Sequence, residues 1–125
     1  PYSIAATVLS LMPDAHKFDF KILATDINSQ MLARARAGLY AADAATLASV
    51  ANHAQWFPLR EIDGKPSLLV HEDVRRLVSF RTSNLIDPSW PMSGKFQVIF
   101  CRNVLIYFDR DVHDRICSQL VDYLS

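Results

Sequence analysis

The sequence has only two cysteines, Cys101 and Cys117. That is too few for a disulfide framework or for a metal site of their own. Its four histidines, His16, His53, His71 and His113, lie far apart and show no ligand spacing. Neither charge is in excess, with 13 Lys and Arg against 13 Asp and Glu. A nucleic-acid footprint needs a clustered basic face, so none is expected. The nearest candidate, Arg75 with Arg76, reads as a solvated helix face. No apolar run approaches the ~20 residues of a membrane span, and no signal-peptide pattern is present. Internal repeats and low-complexity segments are also missing. The expectation is a reducing, cytoplasmic setting, with no nucleic-acid partner and no direct membrane insertion.

What the sequence does have is material for a core. Hydrophobic residues make up 50%, too many for disorder. A chain of 125 residues is at most one ordinary domain. It opens on Pro1 and closes on Ser125 within helical patterns, which reads as a piece of a longer protein.

Residues 1–12 suit a helix with an apolar stripe of Ile4, Val8, Leu11 and Met12. Residues 20–25 read as a buried strand ending at Asp26. Asn28 or Ser29 can cap a following helix that stops at Gly38. Residues 41–54 are Ala-rich and helical in propensity. Asp63-Gly64 signals a tight hairpin within residues 58–70, and Pro66 beside it argues for a short or edge hairpin. A short helical segment follows, with Val74, Leu77 and Val78 on one side. A strand then leads from Phe80 towards Asn84 and Leu85. The apolar run Val98, Ile99 and Phe100 predicts a strand covered on both faces. Asp109 opens a last helix, amphipathic through Val112, Ile116, Leu120, Val121 and Leu124. Strands alternating with helices indicate an α/β fold.

Three strand ends carry polar groups: Asp26, Asn84 with Leu85, and Arg102 with Asn103. In an open α/β sheet ligands bind at the carboxyl ends of the strands. A carboxylate there can accept both hydroxyls of a ribose. An Asn can pair with an adenine edge while a Leu covers the ring face. The competing reading makes Asp26 the cap of the next helix, and makes Asn84 an ordinary loop residue.

The joint pattern resembles the catalytic domain of the chemotaxis receptor methyltransferases, the CheR family. The matching stretches are PYSIA at 1–5, ILATDI at 22–27, LARARAGLY at 32–40, VSFRTSNLID at 78–87 and IFCRNVLIYFD at 99–109. They run from end to end of the chain. The resemblance implies a Rossmann-like sheet with flanking helices, to which the hairpin near residues 58–70 is a small insertion. It implies S-adenosylmethionine as methyl donor, and glutamate side chains of methyl-accepting chemotaxis receptors as acceptors. By that resemblance Asp26 holds the ribose, and Asn84 and Leu85 contact the adenine. Arg102 and Asn103 then belong to the loop beneath the cofactor, and the catalytic Tyr107 stands near the transferred methyl. A core aromatic is the alternative role for Tyr107.

The family's acidic Gly-Glu-Glu loop, its first strand and its N-terminal helical domain would precede Pro1. Its last strands would follow Ser125. Residues 1–125 are thus expected to be a partial domain, neither stable nor active alone. A non-catalytic cofactor-binding or regulatory module within a larger signalling protein is the alternative, since fold does not fix function.

Overall fold

The run Ile22–Asp26 forms a strand, β1, in a computed structural model that describes residues 1–125. Its partner is a second strand, Val78–Thr82, which we number β5 in chain order. The two are parallel and in register from Ile22 opposite Val78 to Asp26 opposite Thr82. Parallel neighbours need a long crossover. Here it contains three further helices, a 3-10 segment and a small antiparallel sheet. The chain divides into two compact units, Pro1–Thr82 and Ser83–Ser125, each with its own buried residues.

In the first unit, α1 spans Tyr2–Leu11 and buries Tyr2, Ala5, Ala6 and Leu9. The face differs from the expected stripe: Val8 packs at the edge of the core, while Leu11 is 78% exposed. Two alanines on the inner face let the helix backbone approach its neighbours closely. A count of large apolar residues alone overlooks such a face. The core adds Phe57, Val70, Val74, Leu77 and Val78.

Helix α2, Ser29–Ala37, starts at Asn28 and ends at Gly38. The Asn28 side chain accepts from the N–H groups of Gln30 and Met31, satisfying two of the orphan donors at a helix start. Gly38 takes the left-handed conformation at φ 63°, which favours glycine as a helix stop. Strand β2 (Leu39–Ala41) follows, then α3 (Ala44–Val50) and a 3-10 segment over Ala51–Trp56.

The expected hairpin is β3 (Leu59–Ile62) with β4 (Lys65–Leu69). Asp63 and Gly64 both have positive φ, 53° and 75°, as a two-residue hairpin turn requires. The hairpin is short, as Pro66 suggested, with strands of four and five residues, but only β3 lies at an edge. The sheet order is β2-β4-β3, so Pro66 lies on the middle strand. Its missing N–H still leaves a carbonyl, which accepts from Ala42. Leu39–Ala41 supply the third strand, which the sequence pattern did not show. Helix α4 is a single turn, Glu72–Arg75, that buries Val74.

In the second unit the largest correction falls on residues 96–101. No strand forms there. Only Phe96 makes an isolated parallel bridge, to Leu124, and Val98 and Phe100 are 66% and 65% exposed. A strand exists only through the neighbour that takes its N–H and C=O groups. No strand of this unit offers itself to residues 97–100, so an apolar run alone does not make one. Leu105–Tyr107 form a 3-10 turn, and α5 spans Arg110–Tyr123 with Asp109 as its cap. Ile116 is fully buried, and the Trp90 ring stacks on Tyr123 with centroids 5.4 Å apart. The outer part of the expected stripe departs, since Val121 and Leu124 are exposed.

Candidate functional site

Asp26 is the last residue of β1 and is exposed. Its Oδ1 accepts the N–H of Asn28 at 2.9 Å. This closes a local turn of the kind Asp side chains favour. The helix cap itself is Asn28. Asp26 therefore turns the chain out of the strand through one carboxylate oxygen. Thr82 faces it across the parallel pair.

The strand carrying Phe80 ends at Thr82, sooner than expected, so Asn84 and Leu85 sit in the turn beyond it. Both are half-buried. Asn84 Oδ1 accepts from Ile86 N at 3.2 Å, and its backbone carbonyl accepts from Asp87 N at 3.0 Å. The Asn84 amide group is left with its two donors. The Leu85 carbonyl accepts the Trp90 indole N–H, which fixes the turn to a buried ring.

Arg102 and Asn103 are exposed, in a loop rather than at a strand end. Asn103 has φ 60°, a left-handed conformation that Asn tolerates better than most residues. The backbone thus reverses immediately after Arg102. Tyr107 ends the 3-10 turn and is 80% exposed, so it is no core aromatic. No hydrogen bond or ion pair joins Asn84 or Leu85 to Arg102, Asn103 or Tyr107. Beside the loop, burial pushes the Cys101 thiol above its usual value, and nearby Cys117 adds to the effect.

Sequence reasoning passed over a cavity of about 400 Å³ in the first unit, lined in part by Arg36, Arg75 and Arg76. The adjacent arginines of VRR and the basic end of RARAG were the available signal.

Parallel strands with a carboxylate at their carboxyl end present it where open α/β sheets bind their ligands. The comparisons with known proteins make this specific. The family model "CheR methyltransferase, SAM binding domain" matches residues 1–125. A probable chemotaxis protein methyltransferase of Rhizobium etli is 48% identical over 124 residues, covering 99% of this chain and 46% of that protein. The chemotaxis protein methyltransferase of Vibrio parahaemolyticus is 38% identical, covering 100% of this chain and 45% of that protein. Chemotaxis protein methyltransferase 1 of Vibrio cholerae is 37% identical over 127 residues, with the same coverage. The chain belongs to the CheR methyltransferase family, within its SAM-binding domain. It spans less than half the length of these curated relatives. No helix is long and apolar enough to cross a membrane.

Proposed function

We propose that the protein carrying this chain transfers a methyl group from S-adenosylmethionine to glutamate side chains of chemotaxis receptors, in the cytoplasm. The observation that supports this most is the exposed Asp26 carboxylate at the end of a parallel strand, within a chain of the SAM-binding family.

The residues fit the cofactor. Asp26 has an acceptor oxygen to spare for ribose hydroxyls. The Asn84 amide keeps donors for an adenine edge, and Leu85 offers an apolar side chain beside it. Arg102 and Asn103 serve the loop on the cofactor side. S-adenosylmethionine, when bound, supplies the activated methyl group.

A free glutamate has a pKa of about 4.3, so at neutral pH the acceptor is already ionised and needs no general base. The protein's task is to position and partly desolvate that carboxylate. Charge is lost as the methyl ester forms. A fixed charge near the reacting atoms would therefore stabilise the ground state more than the transition state. A neutral donor such as the Tyr107 hydroxyl suits the orienting role better than Arg102.

The test is incubation of the full-length protein with methyl-labelled S-adenosylmethionine and a chemoreceptor cytoplasmic domain. Alkali-labile label on the receptor, released as methanol, is expected for a glutamate ester. Cofactor binding with no labelled receptor would overturn the enzyme reading and favour a regulatory module. Label stable to alkali would overturn the glutamate assignment.

A further inference from the structure

The cavity in the first unit is separate from the groups assigned above. Apolar Val78 and Phe80 of β5 and the ring of Tyr2 form one part of its wall. Arg36, Arg75, Arg76 and Glu72 complete the lining. It is an open depression rather than an enclosed chamber, and its volume of about 400 Å³ lies within the range of small-molecule sites, roughly 300–1,000 Å³.

The arginines are exposed, but Arg36 and Arg75 are each tied to a backbone carbonyl. Arg36 Nη2 donates to the Phe80 carbonyl at 3.0 Å. Arg75 Nη2 donates to the Arg36 carbonyl at 2.6 Å. The Arg75 stem runs beside Gly38, where an added Cβ would come within 3.1 Å of its Cδ and Nε. The bare Cα of Gly38 thus leaves the room that Arg75 uses. Each guanidinium has five donors, and these anchors take few of them.

Charge is also unbalanced. Arg76 pairs with Glu72 at 3.0 Å and Asp73 at 3.6 Å. Arg36 and Arg75 have only carbonyl and hydroxyl partners, and neither forms an ion pair with a carboxylate. Two anchored cations over an apolar wall match an oxyanion attached to a flat or apolar body. Guanidinium forks fit phosphate and carboxylate oxygens in pairs.

We propose that this cavity is a second ligand site, in which Arg36 and Arg75 bind the phosphate or carboxylate group of a small aromatic or apolar anion. The proposal is independent of methyl transfer. Phenyl phosphate and benzoate are suitable probes, because neither resembles S-adenosylmethionine.

Titration calorimetry of the full-length protein, with the methyl-donor site filled by S-adenosylhomocysteine, tests it. Saturable binding of phenyl phosphate or benzoate is expected, and whichever binds more tightly identifies the oxyanion. Inorganic phosphate should bind at least tenfold more weakly than phenyl phosphate, having no apolar part. Arg36→Gln and Arg75→Gln should each weaken the tighter probe at least tenfold. Glu72→Gln removes the cavity's own carboxylate and should tighten it severalfold, a gain that misfolding cannot mimic. Absence of saturable binding of either aromatic probe would overturn the proposal. So would affinities unchanged by both arginine substitutions in variants that melt normally.

Discussion

The Asp26 carboxylate accepts the backbone N–H of Asn28 at 2.9 Å, and Asn28 in turn caps α2 with its own side chain. One short turn therefore orients the acid at the end of β1 and starts the helix behind it. The residue proposed to bind and the residue that caps the helix are different, two positions apart.

This separation makes Asp26 testable. In the full-length protein Asp26→Ala should weaken S-adenosylmethionine by roughly 1.5–3 kcal/mol, the range for hydrogen bonds to a charged group. Asn28→Ala should instead lower stability by ~1 kcal/mol, as loss of a helix cap does. Calorimetric titration and thermal unfolding read the two separately. Unchanged cofactor affinity in Asp26→Ala would remove Asp26 from the site.

Local chemistry was legible wherever a residue acts on its immediate neighbours. Asn28 and Gly38 bounded α2, Asp63-Gly64 turned the hairpin, and Asp109 capped α5, because each solves a backbone problem within a few residues. Pairing was less legible. Pro66 sits on a middle strand because β2 joins from the other side, a relation no local pattern encodes. The run at Val98–Phe100 has the composition of a buried strand but forms none, and Val98 and Phe100 lie open, since composition does not supply a partner. For the candidate site, motif resemblance named the residues and the structure adds their surroundings. The arginine cavity was hidden because its cations come from two helices distant in sequence.

The exposed apolar side chains of the second unit give a further expectation. Val98, Phe100 and Ile106 are all largely open to solvent. Such surface is normally covered. Residues 1–125 expressed alone should bind a hydrophobic dye and melt without a cooperative transition. A sharp, cooperative unfolding curve for the isolated monomer would refute this. A swapped dimer would not, because a second chain can supply the missing cover.

A pair of tyrosines sets an alkaline limit. The Tyr2 and Tyr40 rings meet edge to face at 6.4 Å. Burial raises both phenols above the usual value of 10.0, with Arg75 opposing the effect at Tyr2. At Tyr40 the proximity of Tyr2 raises it further, and Arg34 opposes. Below 10.0 the folded and unfolded chains both keep these protons, and the contribution to stability is present in full. As pH rises through the raised folded values, the unfolded chain has already released its protons and stability is lost. The melting temperature of the full-length protein should therefore fall above about pH 10, where an unperturbed phenol titrates. The Tyr2→Phe/Tyr40→Phe double variant should fall less steeply. Parallel curves for the two proteins would show that these phenols do not carry the effect.

Tyr107 offers the sharpest separation of chemistry from structure. Its ring is 80% exposed, at the end of a 3-10 turn five residues past Arg102. Side chains this open contribute little to stability when altered, so Tyr107→Phe should leave the melting temperature unchanged. The substitution removes one hydroxyl and nothing else. If that hydroxyl orients the acceptor carboxylate as the ester forms, turnover should fall roughly ten- to hundredfold, about 1.4–2.7 kcal/mol of barrier. Cofactor affinity should not move, because the hydroxyl is assigned to the acceptor. Steady-state methyl transfer by the full-length protein, with cofactor binding measured alongside, distinguishes the cases. A fall in turnover at constant affinity and melting temperature supports an orienting donor. Unchanged turnover would remove Tyr107 from the reaction. Weakened cofactor binding would move its role from the acceptor to the methyl donor.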